Sequence, residues 1–199
     1  MPTRPTSRRL TGICALALVI AMTPGTIAAT IGVVADRDGD AVDVHASAVL
    51  DADMPTAWHV LTDYDRYPAF IPDLRRSRVV GRRGSVVTVE QSGDALLWLL
   101  RLPVEVTFEI DESPPNRLES HAVAGSLRAL TSQYELTPLA VGIRLDYFGR
   151  ITPGFALLGP FEKAAVEHNI ARQFQALADE VERQAATTRL NARAPTGPH

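Results

Sequence analysis

The chain contains a single cysteine, Cys14, and that residue lies in an N-terminal stretch with the character of a removable leader. Without the leader no thiol remains, which excludes a disulfide, a thiolate metal site and a cysteine nucleophile. Sequence motifs of several common enzyme chemistries are missing too. There is no Gly-x-Ser-x-Gly elbow, no His-Glu-x-x-His, no phosphate-cradling glycine loop and no Rossmann fingerprint. Glycine (13) and proline (14) in 199 residues are too few for a disordered or fibrous chain. Positive charge is also short. The net charge is −3, and removing Arg4, Arg8 and Arg9 with the leader takes it to −6. Nucleic-acid binding needs clustered cations, so no nucleic-acid partner is expected. One basic cluster exists, at Arg75, Arg76, Arg78, Arg82 and Arg83. It reads first as a solvated strand end and second as a transient contact with an anionic membrane surface.

Metal chemistry has little support. The histidines are His45, His59, His121, His168 and His199, and none pairs with a second ligand at metal-binding spacing. Asp36-Arg37-Asp38-Gly39-Asp40 has calcium-like spacing but lacks the downstream glutamate of an EF-hand loop, so it is expected to be a turn. Neither a metal nor a cofactor is expected.

What is present begins with the leader. Arg4, Arg8 and Arg9 form a basic start, and residues 10–22 are apolar but too short for a hydrocarbon core of roughly 30 Å. Pro24 and Gly25 break the helix, and Thr26-Ile27-Ala28-Ala29 supplies small residues for a signal peptidase. Residues 1–29 are expected to be a signal peptide cleaved after Ala28 or Ala29, delivering a periplasmic or secreted protein. Residues 30–185 then form one domain, and residues 186–199 a disordered tail, because their Thr, Asn, Arg and Pro cannot build a core.

Within the domain, residues 31–35 and 41–50 read as strands joined through Asp38-Gly39. In the second, Val42, Val44, Ala46, Ala48 and Leu50 alternate with Asp43, His45 and Ser47, the mark of a half-buried strand. Asp53 is placed to cap a helix that starts near Pro55. Pro68 and Pro72 leave residues 67–74 at best a short irregular helical piece. Further strands are expected at 77–81 and 86–91. Residues 96–110 keep one parity throughout, with Pro103 expected to force a bulge or break. Strands at 117–124, 129–137 and 141–151 follow. From about 159 to 184 the pattern turns helical, with Val166, Ile170, Phe174, Leu177 and Val181 in one stripe. The class is α+β, with the last helix burying its stripe on an antiparallel sheet.

Within this order of elements stands the stretch Ala57-Trp58-His59-Val60-Leu61-Thr62-Asp63-Tyr64-Asp65-Arg66-Tyr67-Pro68-Ala69-Phe70-Ile71-Pro72-Asp73-Leu74. Order and stretch together resemble the START-like (SRPBCC) superfamily. The stretch is similar to the signature of the coenzyme Q-binding and polyketide cyclase/dehydrase branch. Arg144-Leu145-Asp146-Tyr147 and Ile151-Thr152-Pro153-Gly154-Phe155 belong to the same likeness, which spans roughly residues 41–182. The resemblance implies a helix-grip fold: about seven antiparallel strands wrapped around the long C-terminal helix, with a cavity between. The strand at 31–35 is an addition to that pattern.

If the domain is hollow, strand parity nominates the wall. Trp98, Leu100, Val104, Val106 and Phe108 come from the central strands. Leu130, Ser132, Tyr134 and Leu136 come from the next-to-last strand, and Ile143, Leu145 and Tyr147 from the last. Ser132, Tyr134 and Tyr147 are polar handles in apolar surroundings, although a buried tyrosine hydroxyl often just meets a backbone carbonyl. Phe70, Ile71 and Leu74 beside two prolines, and Phe155, Leu157, Leu158 and Phe161 before the last helix, are two apolar clusters. Each serves equally well as a portal or as ordinary core. His168 sits off the helical stripe and is expected to face solvent. Asp63 and Asp65, although near Tyr64, fit helix capping and solvation better than acid–base catalysis. The function expected is a binding or carrier protein for a lipid-like or quinone-like molecule. The alternatives are a cyclase/dehydrase-like enzyme, against which export argues, and an envelope interaction protein whose cavity is filled by its own side chains.

Overall fold

The computed structural model describes residues 31–97, 100–153 and 161–193. Eight strands form one antiparallel sheet: β1 Ile31–Asp38, β2 Ala41–Leu50, β3 Leu74–Arg83, β4 Val86–Leu97, β5 Leu100–Ser113, β6 Arg117–Gly125, β7 Ala129–Pro138 and β8 Ile143–Thr152. Their order is β1-β2-β8-β7-β6-β5-β4-β3, so every pair of sheet neighbours is a hairpin except β2 and β8, where the last strand returns to lie beside the second. The segment between β2 and β3 holds α1, Met54–Thr62, and a short 3-10 helix, Tyr64–Ala69. The long helix α2, Phe161–Arg193, packs against β1, β2 and α1. Among the described residues no helix is long and apolar enough to cross a membrane.

Local chemistry explains the elements that position the cavity. The Asp53 side chain accepts the Thr56 N–H at 2.7 Å and caps α1, and Pro55 stands in the first turn, where its missing N–H costs nothing. Gly39, at φ +60°, makes the tight β1–β2 turn that a larger residue would strain. The inward residues of β2 meet Phe174, Leu177, Ala178 and Val181 of α2 in one fully buried cluster with Ile143 and Leu145 of β8.

Several expectations need correction. Residues 96–110 are not one strand. β4 ends at Leu97 and β5 begins at Leu100, with these two residues paired, and Leu100 is 62% exposed rather than inward. The apolar alternation carries on across the hairpin and hides it. Pro103 produces no bulge, because β4 and β5 stay in continuous register through the Asp94–Pro103 pair. The Asp94 N–H donates to the Asp73 carbonyl on the other side, so this pair exchanges no ladder bond. The proline nitrogen faces the β6 side, where β6 pairing has already ended at Val106. Finally, α2 runs to Arg193, past Ala185 where a tail was expected. Polar contacts hold this extension: Arg189 reaches the Asp51 carbonyl (3.2 Å) and carboxylate (2.7 Å), and the Thr187 hydroxyl back-bonds to Arg183 at 2.9 Å.

Candidate ligand cavity

A cavity of about 290 Å³ lies between α2 and the inner face of the sheet. That is near the lower end of the roughly 300–1,000 Å³ typical of small-molecule sites. One wall is β5, whose inward positions Leu102, Val104, Val106, Phe108 and Ile110 follow the period of two. The opposite wall is the α2 stripe of Val166, Ile170, Phe174 and Leu177 at helical spacing.

All four tyrosines of the chain line this one space. Tyr64 and Tyr67 enter from the 3-10 helix, and Tyr134 and Tyr147 from directly paired positions of β7 and β8. The Tyr134 and Tyr147 rings lie 4.9 Å apart, and Tyr64 and Tyr67 meet edge to face at 5.8 Å. Two hydroxyls are spent on the protein itself. Tyr64 donates to Glu112 at 3.1 Å, and Tyr67 donates to the Leu61 carbonyl at 2.7 Å. Burial raises the pKa of every one of these phenols. For Tyr64 the charge of Glu112 adds to the effect, whereas for Tyr147, pushed up to about 12, a hydrogen bond with Ser132 works the other way. The phenols are neutral at any physiological pH.

Beneath the Tyr134–Tyr147 pair lie two paired hydroxyls on neighbouring strands. Ser120 on β6 pairs with Ser132 on β7, their oxygens 2.7 Å apart, and Ser132 pairs in turn with Gly149 on β8. Glycine at 149 leaves room for the phenol of Tyr147, since a methyl group there would collide with the ring. Tyr134 is different. Its hydroxyl has no hydrogen-bond partner among the described residues, and no side-chain oxygen sealed from solvent lacks one, so it keeps open space in front of it.

The other end of the cavity is a charged rim. Asp73 holds Arg101 at 2.8 Å and Arg172 at 2.6 Å, linking the start of β3 to β5 and α2. Burial works to raise the Asp73 pKa, but the bonds and charges of Arg172 and Arg101 outweigh it and hold the carboxyl below its ordinary range. Its backbone sits at φ +62°, a left-handed conformation that aspartate tolerates better than most residues. Asp94 on the same rim binds Arg75 at 2.7 Å. Nearby, the Asn169 side chain receives the Leu96 N–H at 3.0 Å and donates to the Leu96 carbonyl at 2.7 Å, fastening the end of β4 to α2.

Of the residues nominated from sequence, Ile71, Leu74, Val104, Val106, Phe108, Ser132, Tyr134 and Tyr147 stand on this wall. Leu100, Leu136, Ile143, Leu145 and Phe70 do not: Leu100 is exposed, and Leu136 and Ile143 are fully buried in the core. Leu145 keeps the inward parity but pairs with Ala48 and Leu136, and all three are fully buried in the closed core beyond the cavity. Phe70 packs its ring on Tyr67, 5.6 Å away, and is off the wall. Trp98 and Phe155 lie outside the described residues, as do Leu157 and Leu158 and the leader; Phe161 opens α2, but its side chain is likewise outside them. His168 is exposed. Asp65 accepts the Val79 N–H at 2.9 Å and Asp63 lies 3.7 Å from Arg66, so both act structurally. Sequence reasoning missed Tyr64, Tyr67, Ser120, Asn169 and Gln173. The signal available was the three-residue spacing of Tyr64 and Tyr67, which a turn of helix brings to one side.

A family model described as polyketide cyclase / dehydrase and lipid transport matches residues 50–178, from the end of β2 through most of α2. The chain belongs to this family. Its solved neighbours share the fold at low identity. A STAR-related lipid transfer protein from Xanthomonas axonopodis superposes with TM-score 0.65 at 15% identity, over 76% of this chain and 93% of that one. The Zhui aromatase/cyclase from Streptomyces sp. R1128 gives TM-score 0.62 at 16% identity, over 79% and 99%. A START superfamily protein from Mycobacterium smegmatis gives 0.57 at 13%, over 73% and 98%. No curated protein matches the chain. The START-like membership and the helix-grip fold, with β1 added at the edge, therefore stand, and with them a fold suited to hydrophobic ligands.

Proposed function

We propose that this chain is an exported carrier that holds a hydrophobic small molecule between its sheet and α2. The observation that carries this reading is the aliphatic and phenolic wall around a space of about 290 Å³, whose acidic groups among the described residues are tied up by arginines at the rim. Transfer of apolar surface at roughly 25 cal/mol per Å² favours occupation, before ordering costs are taken off.

The enzyme reading is supported by the cyclase / dehydrase description of the matching family model and, within the cavity, by the Tyr134 hydroxyl, which stands beside Tyr147 and has no hydrogen-bond partner among the described residues. Against it stands the chemistry of those phenols: burial lifts their pKa values, Tyr147 to about 12, and general acid–base work is best done by groups titrating near the working pH. A phenol held neutral binds better than it catalyses.

Two measurements test the proposal. Small molecules extracted from the protein purified from its native host should contain one recurring apolar species by mass spectrometry; a clean extract speaks for an empty or self-filled domain. The N-terminus of the same preparation should begin at Ala29 or Thr30. A chain that keeps Met1 would rule out export by a cleaved leader.

A further inference from the structure

We infer that the cavity selects uncharged ligands bearing a single oxygen function, such as an apolar ring or chain ending in an alcohol, phenol or ketone, and rejects the corresponding carboxylates. This deepens the carrier reading and rests on it.

Among the described residues that line the cavity there is no lysine, arginine or histidine. The internal stretches outside the description, residues 98–99 and 154–160, contain no basic residue in their sequence either. Among the described residues the ionised lining groups are Asp73 and Asp94, both at the rim, and their arginines are already committed to them. A carboxylate entering this space would lose its hydration without gaining a cation. Fatty acids and anionic lipid headgroups are poor fits on that ground.

The wall offers uncharged polar groups instead. Asn169 is consumed by Leu96 and Ala165, Gln91 by Ser77, and Tyr64 and Tyr67 by the protein. Spare capacity remains on the Tyr134 hydroxyl and the Gln173 amide, neither of which has a hydrogen-bond partner among the described residues. Each can donate and accept, and each is uncharged. Tyr134 stands over the Ser120–Ser132 pair, so one ligand oxygen placed there meets hydroxyls only. The rest of the ligand then contacts Val106, Phe108, Ile170 and Phe174, which have nothing polar to give. The volume of about 290 Å³ suits a few fused rings or a short chain better than a two-tailed lipid.

Three matched probes test this on the mature chain at pH 7: naphthalene, 2-naphthol and 2-naphthoate, followed by calorimetry or ligand fluorescence. The expected order is 2-naphthol tightest, naphthalene weaker by about 3- to 10-fold for the lost hydrogen bond, and 2-naphthoate weaker than 2-naphthol by roughly 100-fold or more. Tyr134→Phe should bring 2-naphthol down to the level of naphthalene and leave naphthalene unchanged. Gln173→Lys, by adding a cation to the wall, should improve 2-naphthoate at least about tenfold. Naphthoate binding as tightly as naphthol to the unmodified chain would overturn the inference and leave the carrier reading standing. Failure of all three probes to bind would overturn both. The probe comparison needs no variant, so misfolding of Tyr134→Phe cannot mask the result.

Discussion

The Asp73 carboxylate accepts a hydrogen bond from Arg172 at 2.6 Å, joining the first residues before β3 to the middle of α2 across the cavity rim. Together with Arg101 this pair closes a three-element junction where β3, β5 and α2 meet. The junction is charged outside and apolar within, so it can hold the rim without occupying the cavity.

Removing the charge at this junction should loosen it in a pH-dependent way. Asp73→Asn keeps a residue tolerant of φ +62° and deletes only the ionic part. The expected loss at pH 7 is about 1 kcal/mol, because the arginines are half-exposed and screened. The folded-state pKa of Asp73 is lowered, so its contribution is present above the unfolded value and disappears as pH falls through the folded one. Urea unfolding of the two proteins should therefore differ at pH 7 and converge as the pH falls through the lowered folded-state pKa of Asp73. An equal difference at every pH would assign the effect to backbone shape instead.

Gly149→Ala should damage the floor of the cavity. A methyl group at this position meets the rigid ring of Tyr147, not a flexible chain end that could swing away. The expected destabilisation is about 1–3 kcal/mol. A Tyr147→Ala background should make the same substitution nearly neutral, which a double-mutant cycle in thermal or urea unfolding would read directly.

Asn169→Leu should free the end of β4 from the helix. The change strips partners from both the N–H and the carbonyl of Leu96 and is expected to cost about 1–3 kcal/mol. Hydrogen exchange at Leu96 should accelerate, while amides of β2 and β8 in the closed core keep their protection. Uniform acceleration across the sheet would contradict a local role.

Much of this architecture was legible in the chain because it depends on half-buried faces. β2 emerges with its expected limits since Val42, Val44, Ala46, Ala48 and Leu50 alternate with polar residues on an outward face. The β4–β5 hairpin was not legible: Leu96, Trp98, Leu100 and Leu102 preserve a period of two across the turn, and no glycine, asparagine or proline marks it. The end of α2 was missed for the opposite reason. Residues 186–192 are exposed, and Arg189 depends on Asp51, a partner distant in sequence. For the cavity, parity correctly brought Tyr134 and Tyr147 inward, yet it treated Leu145 identically. Whether an inward side chain meets open space or another side chain depends on how far α2 stands from the sheet at that point, and strand periodicity has no access to that distance.

The central claim is that the space beside Tyr134 is occupied by a guest, and filling it from the protein side tests this most directly. Val104→Trp would place an indole on the β5 wall, on the side that already faces the cavity. Native mass spectrometry of the wild-type and variant chains, both purified from the native host, should show an added small-molecule mass on the wild type alone, with the variant still folded. Equal ligand mass on both proteins, or none on either, would contradict the account.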